Sequence, residues 1–332
     1  MSTKPDSSAI RLPMEVEYQP AWLTWVASTT TCLRALDIEC DRADVAGFSG
    51  YAFHVGVHEE VCPSGPTVLE WSRLSRGVHS LGRATIEFRS PNCEVSERAR
   101  EDSCRAVFEL ARSELLAGRP CVLWGTYLPE FGVVVGIEGD AYRVKSFKEI
   151  LQQEQPAIPY NETEPPGGIY ALGFPAQAEY GELHRDLEAI LEALRQWRRP
   201  TYGKYRFGAD AYDVWIEALR AKRADRFGCG YNAACYAEGR RFAQQFFERM
   251  STRRPLAANL LRQAAESYRD AADAMDRLGE VFPFSHGDEG RVTASTEIER
   301  AAVLLAKTRD AEARAMTFLS DITKIQAPRL ES

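Results

Sequence analysis

Near residue 179 of this 332-residue chain the hydrophobic pattern changes period, and that change restricts the fold more than any single motif. Ahead of it, short apolar runs alternate with isolated amphipathic segments. Strands are predicted over 14–18, 51–57, 84–88, 121–124, 132–137, 142–147 and 168–174, and helices over 28–38, 66–78 and 95–116. The long helix is marked by Val107, Leu110, Ala111 and Leu115 at helical spacing, and Gly139-Asp140 marks a hairpin turn between two of the strands. Residues 152–168 hold four prolines and several acidic residues and read as a surface excursion beside a cleft.

Beyond residue 179 only helical periodicity remains. It predicts helices over 179–197, 209–224, 233–250, 256–278 and 296–321, with breaks at Arg199-Pro200, Phe227-Gly-Cys-Gly230, Arg254-Pro255 and Phe282-Pro283 through Gly290. A cluster of strands after early helices followed by a helical run is an α+β order. The reading divides the chain into an α+β domain over 1–176 and an α-helical bundle over 177–332.

Charge and composition exclude several classes. Lys and Arg number 41 against 48 Asp and Glu, a net charge of −7, which argues against a sequence-independent hold on nucleic acid. No apolar stretch approaches the roughly 18 residues of a membrane span, and the polar start Met1-Ser-Thr-Lys-Pro-Asp carries no apolar signal segment. A cytoplasmic protein is expected. Its eight cysteines form no C-x-x-C pair and no Cys/His grouping at zinc spacing, and no nucleotide motif is present, so neither a metal nor a cofactor is expected.

Three residues stand out as chemical candidates. Cys32 follows Ser28-Thr-Thr-Thr31, a hydroxyl-rich stretch that reads as a helix cap, which places the cysteine in an opening turn where unpaired N–H groups and the helix dipole favour a thiolate. The plain alternative is a buried cysteine that only packs. His54, in Gly50-Tyr-Ala-Phe53-His54, is a candidate general base, with a buried histidine of no chemical role as the alternative. Glu130 begins an otherwise apolar strand and fits three roles: proton acceptor for Cys32, partner of a cationic or amine-bearing ligand, or cap of the strand turn. Phe53, Trp124, Phe131, Tyr212, Tyr231 and Asn232 are candidates for a substrate pocket, and the aromatic helix starts around Tyr212 and Tyr231 equally suit an internal seam.

Thr31-Cys32-Leu33, Gly47-Phe-Ser-Gly50-Tyr-Ala-Phe53, Cys62-Pro63 and Pro129-Glu-Phe-Gly132-Val-Val-Val-Gly136, together with Gly208-Ala-Asp-Ala-Tyr-Asp-Val-Trp215 and Val281-Phe-Pro-Phe284, resemble a group of bacterial proteins similar at their N-terminal part to the butirosin biosynthesis protein H N-terminal domain. That group resembles the papain-like cysteine peptidases. The resemblance implies a papain-like first domain and cysteine-dependent acyl chemistry: amide hydrolysis, or aminoacyl transfer to a small amine-bearing substrate from an acyl carrier protein. It also implies a histidine before the Val-Val-Val-Gly strand and a glutamine about six residues before the cysteine. Here Glu130-Phe131-Gly132 and Val26 stand in those places. The alternative is a catalytically inactive papain-like module that binds a small molecule or peptide in its cleft.

Overall fold

A computed structural model describes residues 9–90, 96–163, 168–285 and 289–326. In chain order the elements are β1 (Ile10–Arg11), α1 (Thr24–Ala35), α2 (Arg42–Ser49), β2 (Gly56–His58), α3 (Trp71–His79), β3 (Ile86–Ser90), α4 (Glu97–Leu116), β4 (Cys121–Trp124), β5 (Phe131–Glu138), β6 (Ala141–Lys145), α5 (Lys148–Leu151), β7 (Ile158–Pro159), β8 (Ile169–Gly173), α6 (Glu182–Trp197), β9 (Tyr205–Phe207), α7 (Ala209–Arg220), α8 (Arg226–Arg253), α9 (Ala258–Val281) and α10 (Ser295–Gln326). The class is mixed α+β, with an antiparallel sheet and a helical C-terminal region.

Two compact units form, Met1–Val45 with Val78–Tyr180, and Ala46–Gly77 with Gly181–Ser332. Residues 46–77, read from the sequence as part of the first domain, pack with the helices. The cause is specific pairing: β2 is antiparallel to β9 in the register Gly56↔Phe207 and His58↔Tyr205, and the Gly56 N–H donates to the Tyr236 hydroxyl on α8. A Cβ at Gly47 would fall 2.2 Å from the Phe246 ring, so only glycine lets α2 lie that close to α8.

In the first unit the strand order is β3-β8-β4-β5-β6-β7, every pair antiparallel, with β1 added to β5. The apolar positions of α4 that the period identified, Val107, Ala111 and Leu115, pack on Cys121, Leu123, Val134 and Ala171 of the sheet. Helix α4 begins where Ser96 accepts a hydrogen bond from the Ala99 N–H, one residue from the expected start. Gly139, at φ +60°, closes the β5–β6 hairpin at the expected turn. The strand expected over 14–18 is absent: that segment is irregular, although Val16 and Tyr18 are buried.

The second unit is built on α7 to α10, with Tyr212, Trp215, Tyr236, Met275, Leu278 and Leu305 in its core. The break expected at Phe227–Gly230 lies instead inside α8, which Asp225 caps by accepting from the Gly228 N–H at 2.6 Å. These glycines serve close approach. A Cβ at Gly228 would sit 1.9 Å from the Val61 carbonyl oxygen, and one at Gly230 2.8 Å from that of Phe282.

Three helices and residues 46–77 also meet at one buried charge network. Arg240 (α8) donates from Nε and Nη2 to Glu312 (α10) at 2.6 and 3.0 Å, from Nη1 to the His54 carbonyl at 2.6 Å, and from Nη2 to the Tyr212 hydroxyl (α7) at 3.1 Å. The Tyr212 hydroxyl donates to Glu312 in turn. Arg240 and Glu312 are 0% and 1% exposed, so each charge depends on the other for its solvation. Glu312→Gln is therefore expected to destabilise the chain by about 3–5 kcal/mol. Replacing both partners, Arg240→Met with Glu312→Leu, should cost less than either single change, as read by urea unfolding.

Candidate functional site

Helix α1 starts at Thr24, four residues before the expected cap. The hydroxyl run that suggested a cap lies in the helix interior, and residues 24–33 are all buried. Thr30 turns its hydroxyl back to the Val26 carbonyl at 2.7 Å, the local bond that lets threonine persist inside a helix. Packing against β4 and β5 overrides the weak helix propensity of Ser28-Thr-Thr-Thr31.

That shift of register relocates the cysteine. Cys32 is the ninth residue of α1, about 12 Å along the axis from Thr24 at 1.5 Å per residue, and so well beyond the first turn where the dipole acts. It is fully buried, and burial raises its thiol pKa well above the ordinary value; the neighbouring Cys121 and Glu114 add to the rise. Glu114 is held by two bonds from Arg119, at 2.7 and 2.9 Å, and one from the Phe174 N–H at 2.8 Å. Burial of this kind disfavours the thiolate that the helix-start reading called for.

What stands at the start of α1 is Thr24. Its hydroxyl donates to Glu130 Oε2 at 2.6 Å and accepts from the Phe131 N–H at 3.1 Å. Glu130 ends the β4–β5 turn, where its carbonyl receives the Gly125 and Thr126 N–H groups at 3.0 and 3.1 Å. Glu130 is therefore beside the first turn of α1, a position in which the helix dipole favours a carboxylate. Trp124 and Phe131 are cross-strand partners with ring centroids 4.6 Å apart, and both are nearly sealed, at 7% and 2% exposed. Trp22 and Leu128, each two residues from a member of the Thr24–Glu130 bond, are instead exposed at 40% and 42%. The structure thus joins Glu130 and the Phe131 backbone at Thr24, sets Trp124 beside the Phe131 ring, and places Cys32 two turns away along α1.

The other candidates belong to the second unit. Phe53 is buried and stacks on Phe247 at 5.3 Å, next to Tyr268 at 6.0 Å. Tyr212 lies in the Arg240 network. Tyr231 is half-buried and lies parallel to Phe227 at 6.4 Å, with Phe284 at 6.0 Å. Asn232 is fully buried; its Nδ2 donates to the Cys62 carbonyl at 3.2 Å, and its Oδ1 has no hydrogen-bond partner among the described residues. His54 is buried with Nε2 3.1 Å from the Gly65 carbonyl. A carbonyl only accepts, so Nε2 carries the proton. Burial pulls the His54 pKa down to about 3, and the Arg199 and Arg240 charges lower it as well.

Thr24, Cys62 and the Arg240–Glu312 pair are the residues that sequence reasoning passed over. Thr24 carries no local signal, because its partner is 106 residues away. Cys62-Pro-Ser-Gly65 had a turn signature, and its polar partner Tyr205 arrives only through the β2–β9 pairing. Among the described residues, no group of three or more His, Cys, Asp or Glu is placed to hold a metal ion, and no helix is long and apolar enough to cross a membrane. No family model matches the chain, and no curated protein matches it.

The neutral His54 sets a pH dependence. Its folded pKa lies below its unfolded value of 6.5, so the unfolded chain binds the extra proton and stability falls as pH drops from about 6.5 toward about 3. Between pH 7 and pH 5 the native chain should lose about 2 kcal/mol more than His54→Gln, which has no group to titrate there. Urea unfolding of both proteins at the two pH values measures the difference; equal losses would show that His54 is not held neutral.

Proposed function

We propose that the first unit is a papain-like framework turned from thiol chemistry to ligand recognition, in which Glu130 receives the amine of a small, partly apolar ligand. The observation that carries this reading is the separation of the two groups a cysteine enzyme needs together. Cys32 is buried and neutral two turns into α1, while the carboxylate stands at the helix start, bonded to Thr24. A thiol held in its neutral form by burial is a poor nucleophile toward an acyl carbon, so neither an acyl carrier protein nor amide hydrolysis has a role in this reading.

Several features support the ligand class. Thr24 and the Phe131 N–H fix the position of the carboxylate, so that less ordering remains to be done on binding. Exposed Trp22 and Leu128 on the two segments joined by that bond supply apolar surface for the remainder of the ligand. A charge-assisted contact of this kind contributes about 1.5–3 kcal/mol, roughly 10- to 100-fold in affinity.

Calorimetric titration with phenethylamine and its N-acetyl derivative tests the proposal. The amine is expected to bind and the acetylated form to bind at least about tenfold more weakly, with Glu130→Gln reducing amine affinity by a similar factor. Glutamine keeps an acceptor for Thr24, so a loss reports the charge. Equal binding of the two compounds, or thioester turnover abolished by Cys32→Ser, would overturn it.

A further inference from the structure

The C-terminal end of α6 and the residues just beyond it carry Arg195, Arg198 and Arg199. Two of the three are committed. Arg195 donates to Glu192 at 2.8 Å and to Glu70 at 2.9 Å. Arg199 donates to the Val68 carbonyl at 2.8 Å and lies over the Phe207 ring, 3.8 Å from its centroid. Arg198 is exposed, and its guanidinium has no ion-pair or hydrogen-bond partner among the described residues.

The charges gathered here do not balance. Arg73, Arg195 and Arg199 share Glu70, at 2.7, 2.9 and 3.8 Å, while Arg73 and Arg195 share Glu192, at 3.5 and 2.8 Å. Counting Arg198, four arginines stand with two carboxylates, an excess of two positive charges in a chain whose net charge is −7. Burial pulls the Arg199 pKa below its ordinary value, and the Arg195 charge adds to the fall where Glu70 and Glu192 oppose it.

Arg198 lines a groove of about 450 Å³ between α6 and α10, a volume suited to a small ligand. Leu191, Leu194 and Pro200 give it apolar walls, and Ser320 and Thr323 bring hydroxyls from α10; no acidic side chain among the described residues lines it. The Thr323 hydroxyl is spent on the Ser320 carbonyl at 2.7 Å, whereas the Ser320 hydroxyl has no partner among the described residues. A free guanidinium fork takes two oxygens of an oxyanion, and the free hydroxyl can donate to a third.

From this arrangement we infer that the groove binds a small phosphate monoester with an apolar body. The dianion matches the excess of two positive charges, and the leucines and proline cover the organic part. The inference concerns the second unit and stands whether or not Glu130 binds an amine.

Calorimetric titration of the full-length chain with phenyl phosphate, benzoate and benzyl alcohol tests it. Phenyl phosphate is expected to bind at least about tenfold more tightly than benzoate, to weaken as salt is raised, and to outbind the neutral alcohol by more. Arg198→Gln should reduce phenyl phosphate affinity about 10- to 100-fold and Ser320→Ala about three- to tenfold, with the urea unfolding midpoint of each variant kept because neither side chain holds another residue. Arg220→Gln, an exposed arginine on α7, should bind as the parent does. No binding of phenyl phosphate, equal binding of benzyl alcohol, or an affinity unchanged in Arg198→Gln would overturn the inference.

Discussion

The continuous burial of α1 from Thr24 to Leu33 is the constraint on which the candidate site depends. A helix sealed along that length has one register against β4 and β5, because any rotation or slide would bring Trp25 or the sheet side chains into conflict. Trp25 is fully buried, with its Nε1 donating to the Tyr170 hydroxyl on β8 at 3.3 Å. Fixing that register fixes which residue meets the β4–β5 turn, and it is a threonine. The same register carries the cysteine two turns further, into a core beside Cys121 and Glu114. Position within one helix therefore decides whether the helix start favours the thiolate or burial opposes it.

The two units use charge differently. In the second, Arg240, Glu312, Tyr212 and the His54 carbonyl satisfy one another away from water, tying three helices to the segment of residues 46–77. Such a network specifies one arrangement of helices more than it adds net stability, since burying both ions costs much of what their attraction returns. In the first, Glu114 is satisfied inside, whereas Glu130 accepts from Thr24 at a helix start and is half-buried.

The sequence made much of this legible where the signal was local. The change of period near residue 179, the α4 stripe of Val107, Ala111 and Leu115, and the Gly139 turn each depend on neighbours within a few positions, and the structure has all three. What escaped depends on distant partners. Ser28 to Thr31 look like a cap by composition and become helix interior only because the sheet covers them. Gly228 and Gly230 look like a break, yet they are the contacts that let α8 approach Val61 and Phe282. Residues 46–77 gave no hint that they would pair with β9, 151 residues later by the Gly56–Phe207 register. Of the candidate site, Glu130 was visible as an acid in an apolar strand, and Thr24 was not.

Burial of Cys32 inside α1, with its thiol held neutral, is what separates it from Glu130. The most direct measurement is the rate of iodoacetamide alkylation at Cys32 in the folded protein from pH 6 to pH 9, followed by peptide mapping. The predicted result is no labelling of Cys32 at any of these pH values until denaturant unfolds the chain. Labelling of Cys32 in the folded state, with a half-maximal rate below about pH 8.5, the pKa of a free thiol, would contradict it and return the cysteine to the centre of the chemistry.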